Sequence, residues 1–128
     1  MLVIDIFKNF HVHSFLIIIF LMLVREFCTP DEMPAIVGVD FEVYGRVQGV
    51  FFRKYTKEKA KELKLNGWCM NTKQGTVLGY VEGEQCKVNE LKTWLQRKGS
   101  PESAIDKVEF RNEKELEAPT LDKFTIKK

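Results

Sequence analysis

The period at which apolar residues recur changes at Gly45, and that change constrains the fold more than any other feature of the sequence. Before it, Val37, Val39, Phe41 and Val43 alternate with Gly38, Asp40, Glu42 and Tyr44, the two-residue period of a half-buried strand. After the segment "YGRVQGVFFR", Phe52, Tyr55/Thr56, Ala60 and Leu63 recur at helical spacing with Lys and Glu between them. Asn66-Gly67 offers that helix a stop. "WCMN", the turn "TKQG" and "TVLGYVEG" then read as a β-hairpin. Gln85 to Lys98 predicts a second amphipathic helix, burying Val88, Leu91, Trp94 and Leu95 and ended by Gly99-Ser100-Pro101. Ile105, Val108 and Phe110 open another strand, and "LDKFTIKK" supplies a short last one. The order β-α-β-β-α-β predicts an α+β, ferredoxin-like sandwich: one antiparallel sheet with two helices on one face.

Length and charge narrow the function classes. At 128 residues the chain suits one domain with a core of its own. A net charge of +2 is too small to argue for nucleic acid. Without residues 1–32 the balance is 18 basic to 14 acidic, or +4, which suits an anionic ligand and equally a solvated mixed surface. Cys28, Cys69 and Cys86 form no C-x-x-C pair and leave an odd count, so a disulfide framework is not expected and a reducing compartment is the default. His11 and His13 lie outside the segment that reads as folded, and no His/Cys cluster has ligand spacing, so no metal site is expected.

Residues 1–32 form a hydrophobic extension of different character. "FLIIIFLMLV", Phe15 to Val24, is too short to span a bilayer as a helix, which takes roughly 20 residues. It has the length of a signal h-region, yet Asp5 offsets Lys8 before it and "REFCTP" offers no small-x-small cleavage site. A signal anchor, a tether and an alternative start at Met33 all remain open. The last is the favoured reading, leaving a domain at 33–128. The domain itself is expected in the cytoplasm, with a membrane partner only if residues 1–32 are retained and inserted.

The loop between strand and helix carries the chemistry. Gly45 and Gly49 let the backbone curl and present successive N–H groups, a nest that binds anions. The following helix adds unsatisfied amides and the positive end of its dipole. Arg53 falls in its first turn, where a guanidinium can grip two oxygens of one phosphate. Each feature has an ordinary alternative: glycines as turn residues, a solvated arginine. GxxxxGK[ST] is absent, so this is not a nucleotide P-loop. No cysteine has an arginine six residues on and no Asp-x-Asp pair exists, so thiol-phosphate and aspartyl-phosphate routes lack their residues.

"GRVQGVFFR" and "GWCMNTKQGTV" resemble the two signature segments of the acylphosphatase family. The resemblance runs through "KVNELKTWL", "GSPESAIDKVEF" and the closing "FTI". It implies that Gly45, Arg46, Val47, Gln48, Gly49, Val50 and Phe51 offer backbone amides to the phosphoryl oxygens and that Arg53 binds the phosphate. It implies that Asn71 orients the attacking water with Thr72 in support, and that the substrate is a small acyl phosphate cleaved without any cofactor. By residue type alone, Gln48 and Arg46 read as exposed loop residues or substrate-side contacts, and Phe51, Phe52, Trp68 and Trp94 as packing.

Two other readings remain. An RNA-recognition module shares this element order but needs exposed aromatics on its central strands and a basic Gly-aromatic motif, and "TVLGYVEG" offers only Tyr80. A non-catalytic anion sensor would keep the loop without needing Arg53 and Asn71 together. A monomer acting on a small molecule, with no nucleic-acid partner, is the expectation.

Overall fold

Alternation in the first strand builds the centre of the molecule. In β1 (Ile36–Arg46) the side chains of Val37, Val39, Phe41 and Val43 are buried while Asp40, Glu42 and Tyr44 face the other way. β1 pairs antiparallel with β3 (Val77–Glu84) on one side and with β4 (Ala104–Leu116) on the other. β3 pairs antiparallel with β2 (Asn66–Asn71), giving the order β4-β1-β3-β2-β5. The structure is a computed structural model, and the residues it describes are 35–128. The readings of residues 1–32 and of Met33 as a start lie outside them.

Both helices cover the face to which β1 sends its valines. α1 (Phe52–Glu62) lies against β2 and β5, and α2 (Gln85–Arg97) against β1, β3 and β4. Phe52, Thr56 and Ala60 fill the buried stripe of α1, and Val88, Leu91 and Leu95 that of α2. The Phe52 and Trp94 rings, 5.9 Å apart, join the two helices. Phe41 lies over its cross-strand partner Gly79, where an added Cβ would fall 2.2 Å from the ring. That glycine makes room for the ring.

Two expectations need correction. α1 is not stopped by Asn66-Gly67, which instead opens β2. The helix closes earlier: Leu65 N–H donates to Ala60 O at 2.8 Å and Lys64 N–H to Lys61 O at 3.1 Å, with Lys64 left-handed. The sheet is also mixed rather than wholly antiparallel, because β5 (Phe124–Ile126) runs parallel to β2. After β4 the chain crosses the helix-free face to the far edge and meets β2 in the same direction. Glu82, fully buried, anchors that crossing. It accepts hydrogen bonds from Tyr80 OH, from the backbone N–H groups of Thr120 and Leu121, and from the Thr120 hydroxyl.

Candidate active site

Strand register brings the two glycine-containing segments to one end of the sheet. Val43 pairs with Val77 and with Val108, and Val77 pairs with Asn71. The loop leaving β1 and the turn leaving β2 therefore emerge side by side. Within the loop, Val47 and Val50 are buried and pin it to the core, while Arg46, Gly49 and Phe51 are exposed. Gly49 and Phe51 both have left-handed backbones, φ 75° and 58°, so the chain coils there as a nest requires. The backbone N–H groups of Val47, Gln48, Gly49, Val50 and Phe51 donate to none of the described residues. Helix α1 begins at the next residue and adds the free donors of its first turn.

The charge at this helix terminus is unusual for its dipole. The first turn of α1 holds no acidic residue but carries Arg53, with Lys57 one turn on. Cations there oppose the helix dipole, by about 0.3–1 kcal/mol each at an exposed site. An anion bound to the terminus reverses that sign. Arg53 is half-buried, and its guanidinium has no carboxylate within ion-pair distance among the described residues.

Asn71 sits at the end of β2, on the same side of the strand as Cys69. The Cys69 thiol lies 3.9 Å from the Arg53 carbonyl, so the turn that carries Arg53 packs beside the strand that ends in Asn71. Burial pushes that thiol up to about 12, with the positive charges of Arg53 and Lys57 pulling the other way. It is protonated at neutral pH and is no nucleophile. The carboxamide oxygen of Asn71 is buried and accepts no hydrogen bond from the described residues. A buried acceptor of this kind costs about 1–3 kcal/mol when left unmatched.

A family model described as Acylphosphatase matches residues 39–126. The chain belongs to the acylphosphatase family. It is similar to Acylphosphatase-1 of Gallus gallus, 53% identical over 93 residues, which covers 73% of this chain and 94% of that one. Acylphosphatase-2 of Meleagris gallopavo is 56% identical over 82 residues, 64% of this chain and 80% of that one. Among solved structures, an acylphosphatase from Coxiella burnetii superposes with a TM-score of 0.64 at 31% identity, covering 77% of this chain and all of that one. The protein is an enzyme, a hydrolase of acyl phosphates, on a ferredoxin-like fold.

Two sequence readings of the acylphosphatase site change. Gln48 is not an exposed loop residue: it is half-buried, and its amide donates to the carbonyls of Thr72 and Thr76, each at 2.9 Å. It is the tie between the two signature segments. Phe51 is not packed but 69% exposed. Trp68 lies on the helix-free face beneath Lys127, whose ammonium is 4.1 Å from the ring centroid. Of the cysteines, Cys69 is a free thiol but Cys86 is not.

The acylphosphatase turn also contains a residue the sequence did not flag, Thr76. Thr72 and Thr76 bracket it: Thr72 N–H donates to Thr76 O at 2.9 Å, and Thr76 N–H to the Thr72 hydroxyl at 3.2 Å. The Thr76 hydroxyl reaches Glu42 of β1 at 2.7 Å. No local pattern announces a contact across 34 positions, because Glu42 reads only as the polar phase of an alternating strand. Among the described residues no group of three His, Cys, Asp or Glu side chains could hold a metal ion, and no helix is long and apolar enough to cross a membrane.

Proposed function

We propose that this acylphosphatase cleaves a small acyl phosphate by direct attack of a positioned water, with no metal and no covalent intermediate. The free amides of Val47 to Phe51 and the Arg53 guanidinium take the phosphoryl oxygens. They then carry the negative charge that spreads over those oxygens in the transition state. The Asn71 oxygen accepts from the attacking water and aims its lone pair at phosphorus. A bond forms between water oxygen and phosphorus while the bond to the acyl oxygen breaks, and the carboxylate leaves without a general acid. The displaced water proton passes to a phosphoryl oxygen. The products are a carboxylate and inorganic phosphate.

The observation that carries this reading is the buried, unmatched carboxamide oxygen of Asn71 at the end of the sheet where the free amides emerge. A turn asparagine ordinarily bonds its own backbone. This one does not, so its carboxamide is uncommitted and can turn its oxygen toward a water. Gly45 and Arg46 close β1 on its pairing with β4 and lead into the loop, and the exposed Arg46 side chain is given no part in the mechanism.

The test is hydrolysis of an aromatic acyl phosphate in the presence of chelator, against a phosphate monoester as control. Turnover of the acyl phosphate alone is expected. Arg53→Gln should lose about 10²–10³-fold in kcat/KM, and Asn71→Ala about 10²-fold in kcat with KM little changed. Loss of activity with chelator, or an Asn71→Ala variant as active as wild type, would sink the mechanism. We further propose that the domain acts alone on small molecules without a nucleic-acid partner. The faces of Tyr44 and Trp68 are already covered by Lys107 and Lys127, which supports this.

A further inference from the structure

Glu42 lies on the helix-free face of the sheet, yet its hydrogen bonds lead into the active-site turn. Its two oxygens have different partners: the Thr76 hydroxyl at 2.7 Å and the Arg111 guanidinium at 3.0 Å. Arg111, on β4, is held in turn by Glu109 and by Tyr44 OH, and Leu78 is the neighbour across β3. The Glu42 side chain is only 16% exposed. An ionised carboxylate accepts and never donates. The single proton of the Thr76 hydroxyl is therefore committed to Glu42.

That commitment fixes the next bond. The Thr72 and Thr76 hydroxyl oxygens are 2.6 Å apart, and either could in principle be the donor. With the Thr76 proton directed at Glu42, the Thr72 hydroxyl must be the one that donates. Its oxygen is then free to accept from Thr76 N–H, as found. The relay Thr72 to Thr76 to Glu42 has one polarity, and the carboxylate sets it. The same turn receives both amide protons of Gln48, and its first residue follows Asn71 directly.

We propose that Glu42 is a positioning residue for the hydrolysis: by fixing the polarity of the Thr72–Thr76 relay, it holds the 72–76 turn and the Gly45–Phe51 loop in register. Asn71 keeps its aim at the water because the residue after it cannot rotate. The effect falls on placement of the nucleophile, not on capture of phosphate. The proposal deepens the mechanism above and rests on Asn71 as the water-orienting residue.

Thr76 and Arg111 bond different oxygens of Glu42, and a carboxamide puts an acceptor at only one of those two positions, so Glu42→Gln in the same place cannot accept from both. Arg111 wins by charge, and the amide NH₂ then faces Thr76. The experiment measures kcat with an aromatic acyl phosphate and the inhibition constant of inorganic phosphate, using the full chain. Glu42→Gln should lower kcat about tenfold while phosphate inhibition stays within about twofold. In Glu42→Gln/Arg111→Ala the one oxygen is free for Thr76, and kcat should partly recover. An unchanged kcat in Glu42→Gln overturns the proposal; so does a parallel loss of phosphate binding, or a double variant no better than the single. If Glu42→Gln does not fold, Thr76→Ser should keep wild-type kcat and Thr76→Val should lose it, the reverse order overturning the proposal. Asn71→Ala with full kcat would instead overturn the water-orienting role, a result separable from the Glu42 and Thr76 outcomes.

Discussion

Lys64 holds a φ of 58° at the end of α1, in a position where glycine has no steric cost. A lysine there sacrifices roughly 1 kcal/mol of backbone energy, and its exposed side chain recovers little. Lys64→Gly should therefore raise stability by about 0.5–1 kcal/mol, read as a shift of the urea midpoint with the slope unchanged. A lower midpoint would show that the lysine chain contributes more than its exposure suggests. The same residue explains one misreading. Asn66-Gly67 carries the signature of a helix stop, but a closing pattern of hydrogen bonds needs only one left-handed residue, and Lys64 reaches it two positions sooner. Gly67 serves packing instead: an added Cβ would lie 2.0 Å from the Tyr80 carbonyl. Gln48 was illegible for a related reason. Its polarity fits an exposed loop, and only the fold brings the Thr72 and Thr76 carbonyls to its amide.

At the scale of elements, periodicity located β1 and both helices, because each buries one face and the buried positions repeat at that element's own spacing, while turn residues marked off the hairpin strands. It could not give the direction of β5, since alternation reads the same in either sense. That direction depends on the crossing segment, and so on Glu82. By parity Glu82 belongs to the helix-free face and reads as a solvated charge. It is instead closed over by Thr120 and Leu121, which place two backbone donors and a hydroxyl on its oxygens. Glu82→Gln loses an acceptor oxygen and leaves buried donors unmatched, at about 1–3 kcal/mol. The expected result is a destabilised chain whose amides in β5 exchange hydrogen faster than those in β1. Equal protection of both strands would mean that β5 is held by its pairing to β2 alone.

For the molecule as a whole, the charges around Arg111 add a small, solvent-screened contribution to acid stability. The Thr76 hydroxyl first, and Arg111 with it, hold the Glu42 carboxyl below its ordinary 4.5, while Arg111 and then Lys107 do the same for Glu109. Depressed folded-state values mean stability that is complete above about pH 4.5, the unfolded value, and lost as pH falls through the folded one. Arg111→Gln should move the acid-unfolding midpoint to higher pH, as followed by circular dichroism. A midpoint that stays put would assign acid sensitivity to other carboxylates. The sheet order has a separate consequence, for encounters between molecules. A sheet with two open margins invites a second chain to add a strand at either one. On one margin, β4 carries exposed Arg111, Asn112, Glu113, Lys114 and Glu115 in succession, and Asn112 is left-handed where the register to β1 slips. On the other, β5 offers three residues before Lys127 and Lys128. Among the described residues both margins thus resist addition of a strand, and neutralising the charges along β4 is expected to weaken that resistance.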